Sequence, residues 1–398
     1  MKSKAFFSII FVFAFASVSC GKDLKFKVYN PNNSEVKDAP VVLKLADFIE
    51  IPVEKRSQLA VFIDGKQVSS QLDDLNRDGI IDELVFIADF QAKENKEIVL
   101  KTITDAQRES FPKEVYADLI LKDADGKHNF VTEASSTKND MYNKLHHHGI
   151  AFESDKIAYR IYFDNKSTID IYGKKKYQLE IAETGWYPSD AQLAAGYGDD
   201  ILLVNSWVGL GTVKGWNGTK ALHIDKFDKR TQRIVSQGNI RTVSEIEVLG
   251  WQYEEKTIDL NVRYIMYARH RDALCEITAS ENIDAIVTGV QQIGGGEMIY
   301  GNRLVGSWGS HYPQGDTIKY AKETAGLGVA VLDNVKSKNE VSGVDNLLIM
   351  PYTKGETLSF YLTCVSEKEE QCSIKTADAF FAYLKEWRNT LQPIEVKK

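Results

Sequence analysis

Short runs of alternating apolar and polar positions recur along most of the chain. Between residues 24 and 105 they are Leu24–Tyr29, Val41–Lys44, Leu59–Ile63, Glu83–Ile87 and Glu97–Leu100. Turn residues separate them (Pro31-Asn32-Asn33, Asp64-Gly65, Asp78-Gly79), a spacing that predicts a small antiparallel sandwich. Strand signals resume in a second series: Ala158–Phe163, Ile169–Tyr172, Ile201–Val204, Gln232–Val235, Ser244–Leu249, Thr257–Tyr267, Cys275–Ala279, Ala285–Gln292, Gly328–Leu332, Leu347–Met350 and Thr357–Val365. That is too many for an eight-stranded sandwich and suits a large antiparallel double sheet with one concave face. No βαβ repeat and no GxGxxG at a strand–helix junction occurs, which disfavours a dinucleotide fold. The pattern changes period once. From Thr376 to Leu391, Ala377, Phe380, Phe381, Leu384, Trp387 and Leu391 fall on one helical face, with Thr376 as cap and Pro393 beyond the end.

The first residues are of another kind. Lys2 and Lys4 precede an apolar run from Ala5 to Ala16, too short for a permanent membrane span, so residues 1–19 read as an export signal. Small residues directly before Cys20 resemble a bacterial lipoprotein signal, which makes Cys20 the lipidated first residue of an exported lipoprotein of the periplasm or outer membrane. The expected division is leader 1–19, a small β-sandwich region 20–105 and a large β-sandwich catalytic domain 106–398. Loss of Lys2 and Lys4 moves the formal charge from −7 to −9, and this acidic balance argues against a nucleic-acid partner. Cys275, Cys364 and Cys372 remain, an odd number. Cys364 and Cys372 either close a small hairpin or are buried thiols, and the absence of CxxC argues against a cysteine zinc site.

Alternation sorts side chains by face. On Ala158–Asp164, Arg160, Tyr162 and Asp164 point one way, and Ile157, Tyr159, Ile161 and Phe163 the other. On Val262–Arg271, Arg263, Tyr267 and Arg269 share a face with Ile265, opposite Val262, Tyr264, Met266 and Ala268. Two strands thus each present an Arg with a Tyr, so these faces either are solvated or line a polar cleft, the reading favoured for a large double sheet, rather than a core. Before the first of them runs His146-His147-His148. On an extended chain at most two of the three converge, and they read as acid/base, as a metal-ligand pair or as a polar loop. Glycine- and aromatic-rich loops supply Trp207, His223, Trp308 and His311 as candidate sugar contacts, since aromatic faces stack on sugar rings. The stretch Asp74-Leu75-Asn76-Arg77-Asp78-Gly79-Ile80-Ile81-Asp82 places oxygens of Asp74, Asn76, Asp78 and Asp82 as a calcium loop would. Val85 stands where an EF-hand has its bidentate Glu, so a structural Ca²⁺ and a solvated hairpin turn are both open readings.

Four segments, DLNRDGIIDELVF, GIAFESDKIAYRIYFDNKSTIDIYGKK, GYGDDILLVNSWVGLG and GSWGSHYP, resemble a domain family of long-unknown function encoded in bacterial polysaccharide-utilisation clusters. The resemblance covers nearly the whole mature chain and extends to oligosaccharide dehydratases of ulvan breakdown. It implies a galactose-mutarotase-like supersandwich. It also implies a lyase that removes water from a non-reducing-end glucuronate to leave a 4,5-unsaturated uronate, with no cofactor required for catalysis. That chemistry asks for a cation on the carboxylate, a base for the C5 proton and an acid for the 4-hydroxyl. His147, His148, Arg160, Tyr162, Arg263 and Tyr267 contain all three types. Two readings compete: a glycoside hydrolase, which needs a carboxylate pair, and a non-catalytic glycan-binding lipoprotein.

Overall fold

The computed structural model describes residues 23–184, 187–204, 208–313, 317 and 321–397. The leader, Cys20 and Trp207 lie outside them. Among the described residues, antiparallel sheets form a smaller and a larger sandwich. In the smaller, a sheet built around Leu24–Tyr29, Asn95–Thr102 and Leu59–Ile63 faces a second of Val36–Lys44, Glu83–Phe90 and Ser70–Asp73. Val41, Phe86, Ile98 and Leu100 are buried between them. One member comes from the far end of the chain. Glu395–Lys397 pairs with Leu24–Tyr29, and Ile394 enters the same core.

In the larger sandwich a nine-stranded sheet faces two five-stranded ones. Phe152, Tyr159 and Ile171 from one small sheet, and Ile286 and Met350 from the other, meet Tyr264, Cys275 and Phe360 of the large sheet in one core. This is the expected all-β supersandwich. The face assignments also hold. Ile157, Tyr159, Ile161 and Phe163 are in this core, as are Val262, Tyr264, Met266 and Ala268.

The helix Ala377–Arg388 is capped by the Thr376 hydroxyl, which accepts from the Ala379 N–H. It packs Phe380, Phe381, Leu384 and Trp387 on the outer side of the nine-stranded sheet. Close approach there depends on glycines. A Cβ on Gly326 would stand 2.7 Å from the Phe380 ring, and one on Gly328 would stand 2.3 Å from Leu384. Gly326→Val is therefore expected to lift the helix and cost about 1–3 kcal/mol through overpacking. A urea midpoint within error of wild type would contradict this packing.

Two local expectations fail here. Val305–Pro313, expected as a loop, is mostly the strand Leu304–His311, whose glycines serve helix packing and close strand approach rather than turns. Ile201–Val204, expected as a strand, is not one: the strand ends at Asp200, with one further backbone bond from Ile201 N–H to the Ile171 carbonyl. As a consequence Trp308 is no sugar platform. It lies beneath the helix with its ring 5.5 Å from Phe380. The three cysteines are free thiols, Cys275 and Cys364 in the main core and Cys372 beneath the helix.

Candidate active site

The five-stranded sheet built from Val115–Asp118, Gly149–Ser154, Ile157–Tyr162, Ile169–Gly173 and Asp199–Asp200 turns its apolar face to the core. Its other face is polar although buried. In register, Asp118 lies opposite Ala151, Ala151 opposite Arg160, and Arg160 opposite Asp170. An Arg Nη2 of residue 160 sits 2.5 Å from Asp170 and 3.0 Å from Asp200. Desolvation and the Asp170 charge push the Asp200 carboxyl up to about 8. The Tyr162 hydroxyl donates to Asp170 as well. Burial, followed by the Asp170 charge, holds that phenol far above its usual range, so it keeps its proton.

The histidine run departs from an extended chain. His147 and His148 both adopt left-handed backbone, with φ of +56° and +61°, a conformation that costs a non-glycine residue about 1–3 kcal/mol and is often found at functional sites. The kink sends the side chains to two places. His146 and His147 pack ring to ring at 3.9 Å and approach Asp118. His148 turns toward the side on which the sequence places the cleft, and its ring stacks on Tyr142 at 3.7 Å with an interplanar angle of 5°. Tyr162 stands edge-on to both rings. His148 Nδ1 lies 3.0 Å from the Tyr142 carbonyl oxygen. A carbonyl only accepts, so Nδ1 carries the hydrogen and Nε2 carries the lone pair. Gly149 is required just behind this residue, because a Cβ there would fall 1.9 Å from the Ile161 carbonyl oxygen. Gln232 reaches across the core to lock the same hairpin, accepting from Ile150 N–H and donating to Ile161 C=O.

The charge of Asp164 acts on His148 and also on Lys214 and His223. Lys214 is buried, and desolvation lowers its ammonium to about 8, partly offset by Asp345 and Asp164. Burial, then the Lys214 charge, lowers His223 to about 4. On another side, His311 donates from Nε2 to the Ile201 carbonyl at 3.1 Å and senses the Asp170 charge.

Of the expected residues the structure brings together His148, Arg160 and Tyr162, with His223 and His311 further out, within the influence of Asp164 and Asp170. It leaves Arg263 and Tyr267 elsewhere. They lie on the outer face of the nine-stranded sheet, where Ile265 and Tyr267 pack with Val85 of the small sandwich. A cavity of about 730 Å³ opens there, but its arginines and histidine already face carboxylates. Arg241 pairs with Asp73 and Glu83, Arg263 with Glu245, Arg269 with Asp38 and Glu114, and His270 with Asp272. This face is polar because it is a buried seam between sandwiches. Arg160 also differs from expectation: with two aspartates on it, it is a scaffold cation and not a receptor for a substrate carboxylate. In the Asp-rich loop, the side chains of Asp74, Asn76, Asp78 and Asp82 accept N–H groups of their own loop.

Residues 28–396 match the family described as "Domain of unknown function (DUF4861)". The chain belongs to that family. No curated protein matches the DUF4861 chain. Among solved structures it is similar to an alpha-mannosidase from Enterococcus faecalis V583, at 9% identity and a TM-score of 0.44, covering 94% of this chain and 46% of the other. A protein in the glycosyl hydrolase family 38 from Enterococcus faecalis gives 9% identity and a TM-score of 0.40, with 94% and 47% covered. The DUF4861 chain spans about half the length of these structures.

Tyr142, Asp170 and Lys214 complete the site; Tyr142 and Lys214 were not singled out from the sequence, and Asp170 stood only among several scattered candidate carboxylates. A signal existed for Asp170. It has outward parity on the strand that forms a hairpin with Ile157–Tyr162, which makes it a natural partner for Arg160. Nothing in the local pattern marks Lys214 or Tyr142.

Proposed function

We propose that this protein processes carbohydrate, as a lyase that removes water from a non-reducing-end glucuronate of ulvan-type oligosaccharides. The reading rests on the family resemblance. The observation that carries it in the structure is the His148–Tyr162 pair: a histidine whose Nε2 lone pair is fixed by the Nδ1–H bond to Tyr142, beside a phenol held protonated on Asp170. His148 Nε2 takes the C5 proton. The C5–H electron pair becomes the C4=C5 bond as the C4–O bond breaks. Tyr162 gives its proton to the departing hydroxyl, which leaves as water. Lys214 neutralises the uronate carboxylate and makes C5–H acidic enough to be removed. A hydrolase mechanism fits less well, because Asp170 and Asp200 are buried on Arg160 and share one cation rather than flanking an opening. Export by the leader, a lipid anchor on Cys20 and a structural Ca²⁺ in the Asp74–Asp82 loop belong to the same proposal.

Product analysis tests the reaction. Glucuronate-terminated oligosaccharide should gain ultraviolet absorbance and lose one water with its chain length unchanged. A shorter sugar without new absorbance would replace this reading with hydrolysis, and binding without any product would replace it with glycan binding. The role of Lys214 has its own signature. Desolvation by burial, opposed by Asp345 and Asp164 and aided by Lys166, leaves its ammonium at about 8, so the carboxylate-binding charge is present below that pH and lost above it. On the alkaline side, kcat/KM is expected to fall about tenfold per pH unit. Lys214→Gln should be weak at every pH and lack that limb. An alkaline limb unchanged in the variant would remove Lys214 from the site.

A further inference from the structure

We propose that Asp118, His146 and His147 form a binding site for one divalent transition-metal ion, zinc in the first place. This site is independent of the dehydration reading and lies behind the His148 cleft. All three residues are buried, at 1%, 6% and 2% exposure, and one ligand atom from each lies within 4.8 Å of the others. Tetrahedral zinc at its usual bond lengths asks for ligand atoms about 3.3 Å apart, which rotation about their side-chain bonds supplies.

Three observations point to an ion rather than to packing. First, both carboxylate oxygens of Asp118 and both ring nitrogens of His147 are buried without a hydrogen-bond partner. Leaving one such polar atom unsatisfied costs about 1–3 kcal/mol, and here four lie together. A cation coordinated by an oxygen of Asp118 and a nitrogen of His147 satisfies the most costly of them. Second, adjacent side chains on an ordinary backbone point apart, and the left-handed residue His147 is what turns the two rings to one side. The strain is stored where a ligand would use it. Third, the cations of this sheet face are already engaged. Arg160 serves Asp170 and Asp200, and Lys174 serves Glu153, whereas the Asp118 carboxyl oxygens have no partner, and a divalent ion would supply one. The donor set of two imidazoles and one carboxylate suits zinc and similar ions better than calcium.

Such an ion ties the histidine turn to the strand Val115–Asp118. Its role is positional: it holds His147 in the strained backbone from which His148 enters the cleft. Two imidazoles and a carboxylate leave one position of a tetrahedron open. His128 lies over His146, with ring centroids 5.8 Å apart, and is exposed, so it is the nearest route in for an ion.

The experiment uses the mature chain stripped with chelator and titrated with Zn²⁺ and with Co²⁺. One equivalent of Zn²⁺ should bind and raise the melting temperature, and Co²⁺ should develop the visible bands of a low-symmetry, four- or five-coordinate site. Asp118→Asn and His147→Gln should each weaken binding by at least about tenfold, whereas Asp74→Asn should leave the Co²⁺ spectrum unchanged. The wild-type spectrum needs no variant, so it decides even where a variant misfolds. No bound equivalent at micromolar Zn²⁺ together with a featureless Co²⁺ spectrum would overturn the site. Undiminished binding in folded Asp118→Asn and His147→Gln would also overturn it. These readouts do not depend on substrate, so failure of the metal site and failure of the dehydration reading are separately visible.

Discussion

Arg160→Met is expected to destabilise the fold by about 3–5 kcal/mol, the cost of stranding buried charge when one partner of an ion pair is removed. Arg160 is 3% exposed, and Asp170 and Asp200 are 0% and 6% exposed. Without the guanidinium, two carboxylates share a dry face, and at least one must take a proton. Asp200 already shows the direction, since its carboxyl is pushed up to about 8 with the cation present. The check is urea denaturation at neutral pH. Adding Asp170→Asn and Asp200→Asn to Arg160→Met should recover a large part of the loss, because neutral side chains carry no stranded charge. A single variant within about 1 kcal/mol of wild type, or a triple variant no better than the single, would mean that the cluster is solvated and the cleft floor less rigid than described.

The largest effect on activity is expected at His148 and Tyr162. In the proposed mechanism His148→Ala removes the base, and Tyr162→Phe removes the acid while keeping the ring edge-on to Tyr142 and His148. Removing a positioned proton donor or acceptor typically costs about 10²–10⁴-fold in rate, and each variant should fall in that range with its far-ultraviolet spectrum preserved. Tyr162→Phe loses the hydroxyl that donates to Asp170, so its melting temperature is measured alongside to separate a chemical loss from a structural one. Full activity in either folded variant would remove that residue from the reaction.

Much of this architecture is legible in the sequence because it follows from period and parity. Alternation placed Arg160 and Tyr162 opposite Tyr159 and Ile161, and helical spacing placed Phe380 and Leu384 on one face. Three features escaped for identifiable reasons. Gly306 and Gly309 marked their segment as a loop, yet they lie within a strand and admit side chains or backbone that a Cβ would exclude. The histidine run was treated as extended chain, and two left-handed residues divide it instead between two polar sites. Polarity on one face of Val262–Arg271 looked like a cleft because a pattern along one strand cannot reveal that another sandwich covers it. Contacts between elements remote in sequence, such as Asp118 with His147 and Arg241 with Asp73, are set by tertiary packing.

The central claim is that chemistry belongs to the cleft of His148 and Tyr162 and not to the seam of Arg263 and Tyr267. Its most direct measurement is the rate of unsaturated-uronate formation from one glucuronate-terminated oligosaccharide by His148→Ala, set against Tyr267→Phe. The account predicts loss of the product in His148→Ala and a near-wild-type rate in Tyr267→Phe. Product at the wild-type rate from folded His148→Ala, with loss in folded Tyr267→Phe, would contradict it and move the reaction to the seam between the sandwiches.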